Sequence, residues 1–253
     1  MTLSQEGLQG FKEGLMMAKK TTSIFKSYTN QIHEILGIND IFRAPDRMME
    51  ILLDKPKREE VFMQFLDLFD GNVVDDMFHA YYQEEAAQRS KMKQDFTPPS
   101  LGKLLAEIVQ LQQQDGTYYE CAAGTGGLMI AKWNEERMKA DPFTYKPSDY
   151  FYHCEDLSDR ALPFLIFNMA IRGMNGVVVH CDSLTRECYG AFFIQNDYNC
   201  CLKFSNINVM PYTDLVAREL QVKFIEERYP VQIESPWPFD MSIEEVKQLA
   251  ETA

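Results

Sequence analysis

The sequence predicts an α/β protein in which a parallel sheet with helices on its faces follows a helical N-terminal domain. Two observations lead to this fold class. Apolar residues recur three and four positions apart through the first 93 residues, whereas short apolar strands alternate with amphipathic helices from Gln94 onward. The length of 253 residues is enough for one large and one small domain. We therefore expect a helical domain over 1–93 and an α/β domain over 94–253.

The composition narrows the class of protein. No run of about 18 apolar residues predicts a membrane span, and the N-terminus lacks the charged and apolar segments of a signal peptide. Six scattered cysteines without a CxxC pair favour free thiols in the cytoplasm over a disulfide framework or a zinc site. The net charge of −13 disfavours unaided binding to DNA, because proteins that grip nucleic acid alone carry a basic face.

In the N-terminal domain, two segments space their apolar residues as amphipathic helices do. They are LSQEGLQGFKEGLMMAKK and REEVFMQFLDLFDGNVVDDMFHAYYQEEAAQ. Pro45, Pro56 and the FDGN stretch are predicted to interrupt the helices. The alternation typical of strands is absent before Gln94, so this part is predicted to be helical.

From Gln94 onward, strands and helices are predicted to alternate. The predicted strands are GTYYECA, DYFYHCE, NGVVVHCD and, after a polar stretch, CCLKFSNI. The predicted helices are LGKLLAEIVQLQQQ, GGLMIAKWNEERMKA, DRALPFLIFNMAIRG and TDLVARELQVKFIEERY. A short helix near the end has Ser242 and Glu245 spaced as a capping box. The alternation is typical of a parallel sheet covered by helices.

Polar residues directly follow three of the predicted strands. Glu120 begins ECAAGTGG (120–127), which we call the glycine turn; Glu155 and Asp156 follow the second strand, and Asp182 begins DSL after the third. Ligands bind at the carboxyl ends of the strands in such sheets, where glycines admit a ligand close to the backbone. A glycine turn alone fits a plain strand–helix connection equally well. Three polar strand ends in succession predict a nucleoside-binding crevice, and the lack of GKS or GKT argues against a P-loop.

The order of these motifs resembles that of the adenine-specific DNA N6-methyltransferases, above all the modification subunit of type I restriction systems. The resemblance covers about residues 1–212 and implies a Rossmann-like fold that depends on S-adenosylmethionine (SAM). The family's DPACGTGG corresponds to the glycine turn, its TP element to Thr97 and Pro98, its ribose-binding acid to Glu155, and its GDSL to 181–184. The residues expected to bind SAM are Phe96, Thr97, Pro98, Glu120, Ala122, Gly124, Thr125, Gly126, Glu155, Asp156, Asp182, Ser183 and Leu184.

The catalytic motif departs from the family's pattern. In the family, an Asn-Pro-Pro-aromatic sequence follows the fourth strand; the Asn accepts hydrogen bonds from the adenine N6, and the ring stacks on the flipped base. Here residues 204–212 read FSNINVMPY, with two residues between Asn208 and a single proline. The resemblance assigns catalysis to Asn208, Pro211 and Tyr212, with Asn206 as an alternative acceptor. Tyr212 fits a ring that covers the end of the sheet equally well.

Three functions follow from these observations. The first is a SAM-dependent methyltransferase that acts on adenine in DNA. Since no segment resembles a target-recognition element, we expect DNA binding to need a partner chain, such as a specificity or restriction subunit. The second is a catalytically degenerate protein that keeps the fold and serves as a regulatory or anti-restriction subunit. The third, methylation of RNA or a small molecule, is neither supported nor excluded. We predict no metal site, because adjacent His and Cys residues on a strand point to opposite faces.

Overall fold

The computed structural model describes residues 28–78, 81, 116–140 and 144–236. Several predictions concern residues outside these ranges: the first N-terminal helix, the helix LGKLLAEIVQLQQQ, the capping box at Ser242 and Glu245, and the expected cofactor residues Phe96, Thr97 and Pro98. Among the described helices, none has the length and apolar character needed to cross a membrane.

The helical segment, residues 28–78, confirms the predicted breaks. Its helices are α1 (28–36), α2 (Ala44–Leu52) and α3 (Lys55–Leu68). Pro45 and Pro56 lie in the first turns of α2 and α3, where a missing N–H removes no helical hydrogen bond. Asp54 caps α3 with its side chain. Asp70 and Gly71 in the FDGN stretch adopt left-handed φ angles of 51° and 70°, so the helix ends before them.

The described part of the α/β region contains a sheet of six strands. They are β1 (Thr117–Glu120), β2 (Phe151–Asp156), β3 (Gly176–Cys181), β4 (Glu187–Gln195), β5 (Asn206–Val209) and β6 (Lys223–Phe224). Their order is β1-β2-β3-β4-β5, with β6 paired to β4. β1, β2 and β3 are parallel and are connected through α4 (Gly127–Lys139) and α5 (Leu162–Ile171). Their carboxyl ends therefore meet at one edge, which we call the carboxyl edge. The predicted α/β fold class is confirmed.

The sheet is mixed, so the prediction of a parallel sheet is wrong at β4. This strand was not predicted, and it runs antiparallel to both β3 and β5. Only residues 182–186 separate β3 from β4. A connection between parallel neighbours needs about a dozen residues, so a loop this short returns the chain antiparallel as a hairpin.

Two predicted boundaries near the end of the sheet also differ. β5 begins at Asn206 rather than at Cys200, because Asn199 adopts a left-handed φ of 48° and the chain turns there. The predicted helix over TDLVARELQVKFIEERY is only α6 (Asp214–Leu220). It stops because Gln221 is left-handed, with a φ of 54°, and the chain continues into β6.

One hydrophobic core joins the helical segment to the sheet. Three rings of the segment pack against Phe167 of α5 with centroid distances of 4.8 to 4.9 Å, namely Phe62, Phe65 and Phe78. Arg58 of α3 forms a buried salt bridge with Glu234, at 2.5 Å, in the loop that follows β6. These contacts fix the helical segment on one face of the sheet.

Candidate functional site

The glycine turn connects β1 to α4 with two left-handed glycines. Gly124 and Gly126 have φ angles of 58° and 94°, which only glycine adopts without steric cost. A Cβ at Gly126 would approach the side chains of Met129 and Leu165 to 2.9 Å. At Gly124, apart from the glycine itself and its two chain neighbours, no atom of the described residues lies within 4 Å of the Cβ position. Among the described residues, the turn is therefore closely packed at Gly126 and leaves space for a ligand at Gly124.

The end of β2 holds the glycine turn in place. The amide of Ala123 donates to the carbonyl of Glu155 at 2.9 Å, and the amide of Gly124 donates to Asp156 Oδ2 at 2.7 Å. The other oxygen of Asp156 accepts a hydrogen bond from Ser158 N at 2.7 Å. Asp156, an expected cofactor residue, thus uses both oxygens to orient backbone at this edge.

The hairpin between β3 and β4 brings the third strand end to the same place. Asp182 Oδ1 accepts hydrogen bonds from the amides of Leu184 at 2.8 Å and Thr185 at 3.1 Å, which lower the pKa of Asp182. Ser183 Oγ donates to the carbonyl of Cys121 in the glycine turn at 2.5 Å. The side chain of Leu184 is 94% exposed. The carboxyl edge thus brings together the three predicted strand ends.

Glu155, the expected ribose acid, is fully buried and bound by other side chains. Arg186 in the hairpin contacts both of its oxygens, at 2.6 and 2.9 Å, and His153 Nε2 lies 3.1 Å from Oε1. Burial raises the pKa of Glu155, but the hydrogen bonds from His153 and Arg186 outweigh burial and hold it well below its usual value. Glu155 is therefore a carboxylate, and its two oxygens are occupied from within the chain.

Glu120 differs from Glu155 in that its pKa is raised rather than lowered. Glu120 is the last residue of β1, and Ala122, two residues further on in the glycine turn, is exposed. Burial raises the pKa of Glu120 to about 7; a hydrogen bond from the Tyr118 hydroxyl, at 2.9 Å, opposes the rise, and the carboxylate of Asp156 adds to it. Near neutral pH this group is therefore part acid and part carboxylate.

Thr125 of the glycine turn faces the helical segment. Its hydroxyl donates to Asp76 Oδ2 at 2.6 Å, and its carbonyl accepts from Asn168 Nδ2 at 2.8 Å. The same amide of Asn168 reaches Asp76 Oδ1 at 2.9 Å. Arg172 completes this buried network by donating to the carbonyl of Asn168 at 2.7 Å. The side chain of Thr125 therefore links the turn to the helical segment.

Asn208, one of the expected catalytic residues, lies within the sheet, away from the strands that carry the expected cofactor residues. Asn208 is in β5, and β2, β3 and β4 separate that strand from β1. Asn208 Nδ2 donates to the Phe193 carbonyl and to Ser235 Oγ, both at 3.1 Å. Its Oδ1 accepts from the amides of Glu234 at 2.8 Å and Ser235 at 2.9 Å. The amide of Asn208 thus has internal partners for both its donor and acceptor groups.

Pro211 and Tyr212 follow β5 at the carboxyl edge. Pro211 is buried, and its carbonyl accepts from Thr213 N at 3.0 Å. The Tyr212 hydroxyl accepts from the amide of Tyr229 at 2.8 Å and lies 3.2 Å from the carbonyl of Tyr189 in β4. Tyr212 therefore shares the edge with the glycine turn but is bound to the β4 side of it.

Sequence reasoning missed two residues that contact the expected site. Arg186 is 31 positions from Glu155, and Asp76 is 49 positions from Thr125. No local spacing could have paired them. The one available signal for Arg186 was its position in the short segment that follows DSL. Among the described residues, no three His, Cys, Asp or Glu side chains are grouped so as to hold a metal ion.

Comparisons with known proteins place these features in a family. The family model for N-6 DNA Methylase matches residues 70–197, which is 128 of the 253 residues and half of the chain. The match includes the glycine turn, Glu155 and the hairpin, whereas Asn208 and Tyr212 lie beyond it. A search of curated proteins found no match.

Two solved structures are similar to this chain at 17% sequence identity. One is described as a class I S-adenosylmethionine-dependent methyltransferase from Listeria monocytogenes; its TM-score is 0.31, and the alignment covers 62% of this chain and 54% of that one. The other is a type I restriction-modification system methyltransferase subunit from Streptococcus thermophilus. Its TM-score is 0.30, and the alignment covers 59% of this chain and 36% of that one. This chain spans about half of the length of the first structure and about a third of the length of the second. Because the family model matches half of the sequence, including the whole carboxyl edge of β1, β2 and β3, the chain belongs to the N-6 DNA methylase family.

Proposed function

We propose that this chain binds SAM at the carboxyl edge of β1, β2 and β3 and transfers the methyl group to the N6 of adenine in DNA. The observation that carries the proposal is the convergence of the glycine turn, Glu155 and the Asp182 hairpin within the part of the chain that the family model matches. When bound, SAM supplies an electrophilic methyl group. The residues of this chain would hold and orient it.

The residues at the edge suit the chemistry of SAM. The backbone at Gly124 is open, and the carboxylates of Glu155 and Asp182 match ribose hydroxyls and an adenine amino group in their hydrogen-bonding capacity. Because Arg186 holds both oxygens of Glu155, a ribose gains access to them only when that side chain leaves. Phe96, Thr97 and Pro98, which lie outside the described residues, remain the residues predicted for the methionine end.

We further propose that DNA reaches the site with the help of a partner chain in the cytoplasm, such as a specificity or restriction subunit. The net charge of −13 supports this view, because a strongly acidic chain gains little from the phosphate contacts that dominate DNA affinity. A basic partner would supply those contacts.

Titration calorimetry with SAM and with S-adenosylhomocysteine tests cofactor binding. We expect binding by the unaltered chain, and a loss of about tenfold or more for Glu155→Ala because the ribose loses its acceptor. Glu219→Ala removes the same charge from an exposed position on α6 and serves as the control. The proposal fails if neither ligand binds, or if Glu155→Ala leaves the affinity unchanged.

A second function is favoured by the contacts of Asn208. Its side-chain amide is hydrogen-bonded to the backbone of Phe193, Glu234 and Ser235. The oxygen that should accept hydrogen bonds from the adenine N6 therefore already has partners. A protein built in this way can bind SAM and act as a regulatory or anti-restriction subunit without transferring a methyl group.

Transfer of tritium from labelled SAM to adenine-rich DNA separates the two functions. Incorporation that is lost in Tyr212→Ala and retained in Tyr212→Phe would exclude the second function, since stacking needs only the ring. SAM binding without incorporation, both alone and with a partner subunit, would exclude the first.

A further inference from the structure

The guanidinium of Arg186 is hydrogen-bonded to Glu155, the acid that the cofactor ribose is expected to use. Its two terminal nitrogens contact the two oxygens of Glu155, at 2.6 and 2.9 Å. Its remaining hydrogen bonds go to the end of α6, from Nε to the Gln221 carbonyl at 3.0 Å and from a terminal nitrogen to the Leu220 carbonyl at 3.0 Å. One side chain thus closes the end of β2 and connects it to α6.

The backbone fixes Arg186 in this position. Arg186 adopts a left-handed φ of 62°, which residues other than glycine rarely take. Its amide donates to the Asp182 carbonyl at 2.7 Å, and its own carbonyl accepts from Lys223 N at 2.8 Å. The hairpin and β6 therefore fix the backbone of Arg186 beside the end of β2, and only its side chain has to move to release Glu155.

We propose that Arg186 determines the affinity of the site by competing with the cofactor ribose for Glu155. This inference rests on the proposed function, because it requires SAM to use that acid. Two ribose hydroxyls and a bidentate guanidinium would need the same two carboxylate oxygens, and Glu155 has no exposed surface left for a second ligand. Binding therefore requires that Arg186 first release the acid.

Release of Arg186 would also free the last carbonyls of α6. No residue of α6 is fully buried, so little packing opposes a shift of this helix. Cofactor binding at β2 is thereby coupled to the position of α6. The apparent affinity for SAM is the intrinsic affinity multiplied by the fraction of molecules in which Arg186 has released Glu155.

Calorimetric titration of SAM into Arg186→Ala and Arg186→Lys tests the inference. If about nine molecules in ten are closed by Arg186, its removal tightens SAM binding about tenfold. Arg186→Lys keeps the charge but loses the bidentate geometry, so we expect an intermediate affinity. Arg228→Ala is a matched control: its side chain is 30% exposed, compared with 29% for Arg186, and it pairs with a different acid, Asp159.

The outcomes separate this inference from the proposed function. Tighter binding by the Arg186 variants than by the unaltered chain supports it when Arg228→Ala behaves as the unaltered chain. If the unaltered chain binds SAM and both Arg186 variants bind equally or more weakly, Arg186 does not compete and the proposed function stands. If no protein binds SAM, both fall. Thermal unfolding of each variant shows whether it is folded, and Arg186→Lys provides the test if Arg186→Ala is not.

Discussion

Protonation of Glu120 should make the stability of this fold depend on pH near neutrality. Burial raises the pKa of Glu120 from 4.5 to about 7. The folded chain therefore holds this proton more tightly than the unfolded chain. The resulting stabilisation is complete below about pH 4.5 and is lost as the pH rises through about 7. A difference of about 2.5 pH units at ~1.4 kcal/mol each gives an upper bound of about 3.5 kcal/mol.

Glu120→Gln isolates this contribution. Glutamine is uncharged at every pH and can still accept the hydrogen bond from the Tyr118 hydroxyl, which lies 2.9 Å from the carboxylate. The free energy of unfolding of Glu120→Gln, relative to that of the unaltered chain, should therefore rise between about pH 4.5 and 8, by at most about 3.5 kcal/mol.

Urea unfolding at half-unit steps of pH measures this difference. Glu219→Gln, which removes the same charge from a residue 69% exposed on α6, corrects for the change in net charge. A difference between Glu120→Gln and the unaltered chain that stays constant from pH 4.5 to 8 would refute the reasoning. It would mean that the carboxyl of Glu120 is solvated in the folded protein.

Three further predictions concern stability and binding. Asn208→Ala leaves the amides of residues 234 and 235 without their acceptor and should lower the free energy of unfolding by about 2–3 kcal/mol; a loss below about 0.5 kcal/mol in urea unfolding would contradict this. Gly124→Ala should weaken SAM binding in calorimetry and lower the free energy of unfolding by about 1 kcal/mol. Gly126→Ala, whose Cβ would crowd two side chains, should lower the free energy of unfolding by about 1–3 kcal/mol. Equal losses in the two variants would contradict the close packing at Gly126. Asp76→Ala removes the acceptor of Thr125 and should cost about 1–3 kcal/mol in thermal unfolding, and an unchanged midpoint would show that the network contributes nothing.

Local patterns predicted the part of the site that local geometry creates. Each predicted strand of the parallel group was followed by a polar residue, and parallel strands joined by helices bring their carboxyl ends to one edge. Glu120, Glu155 and Asp182 therefore fall together for a reason that is visible in the sequence. The left-handed angles at Gly124 and Gly126 likewise follow from the glycine spacing of the turn.

The contacts that occupy the site could not be predicted in this way. Arg186 reaches Glu155, and Asp76 reaches Thr125, through tertiary packing that has no periodic signal. β4 was missed because its sequence, ECYGAFFIQ, buries Gly190, Ala191 and Phe192 in succession and so lacks the alternation of a half-buried strand. The antiparallel direction of β4 follows from the short loop before it. The length of that loop can be read from the sequence only when the start of β4 is known.

The position of Asn208 in β5 and its internal contacts would make the proposed cofactor binding and the proposed methyl transfer separable. β1 carries the glycine turn and β5 carries Asn208, and β3, which carries Asp182 at the same edge, lies two strands or about 10 Å from β5 at a spacing of ~4.8 Å per strand. Reacting atoms must approach to about 3–3.5 Å before transfer. For Asn208 to accept hydrogen bonds from an adenine brought to a cofactor at β1–β3, its side chain would have to give up its hydrogen bonds to Phe193 and to the loop at 234–235. The proposed binding of SAM at Gly124 and Glu155 does not require this loss. A chain that binds SAM but methylates DNA only when a partner supplies or rearranges the acceptor group is therefore the outcome that this arrangement of strands favours.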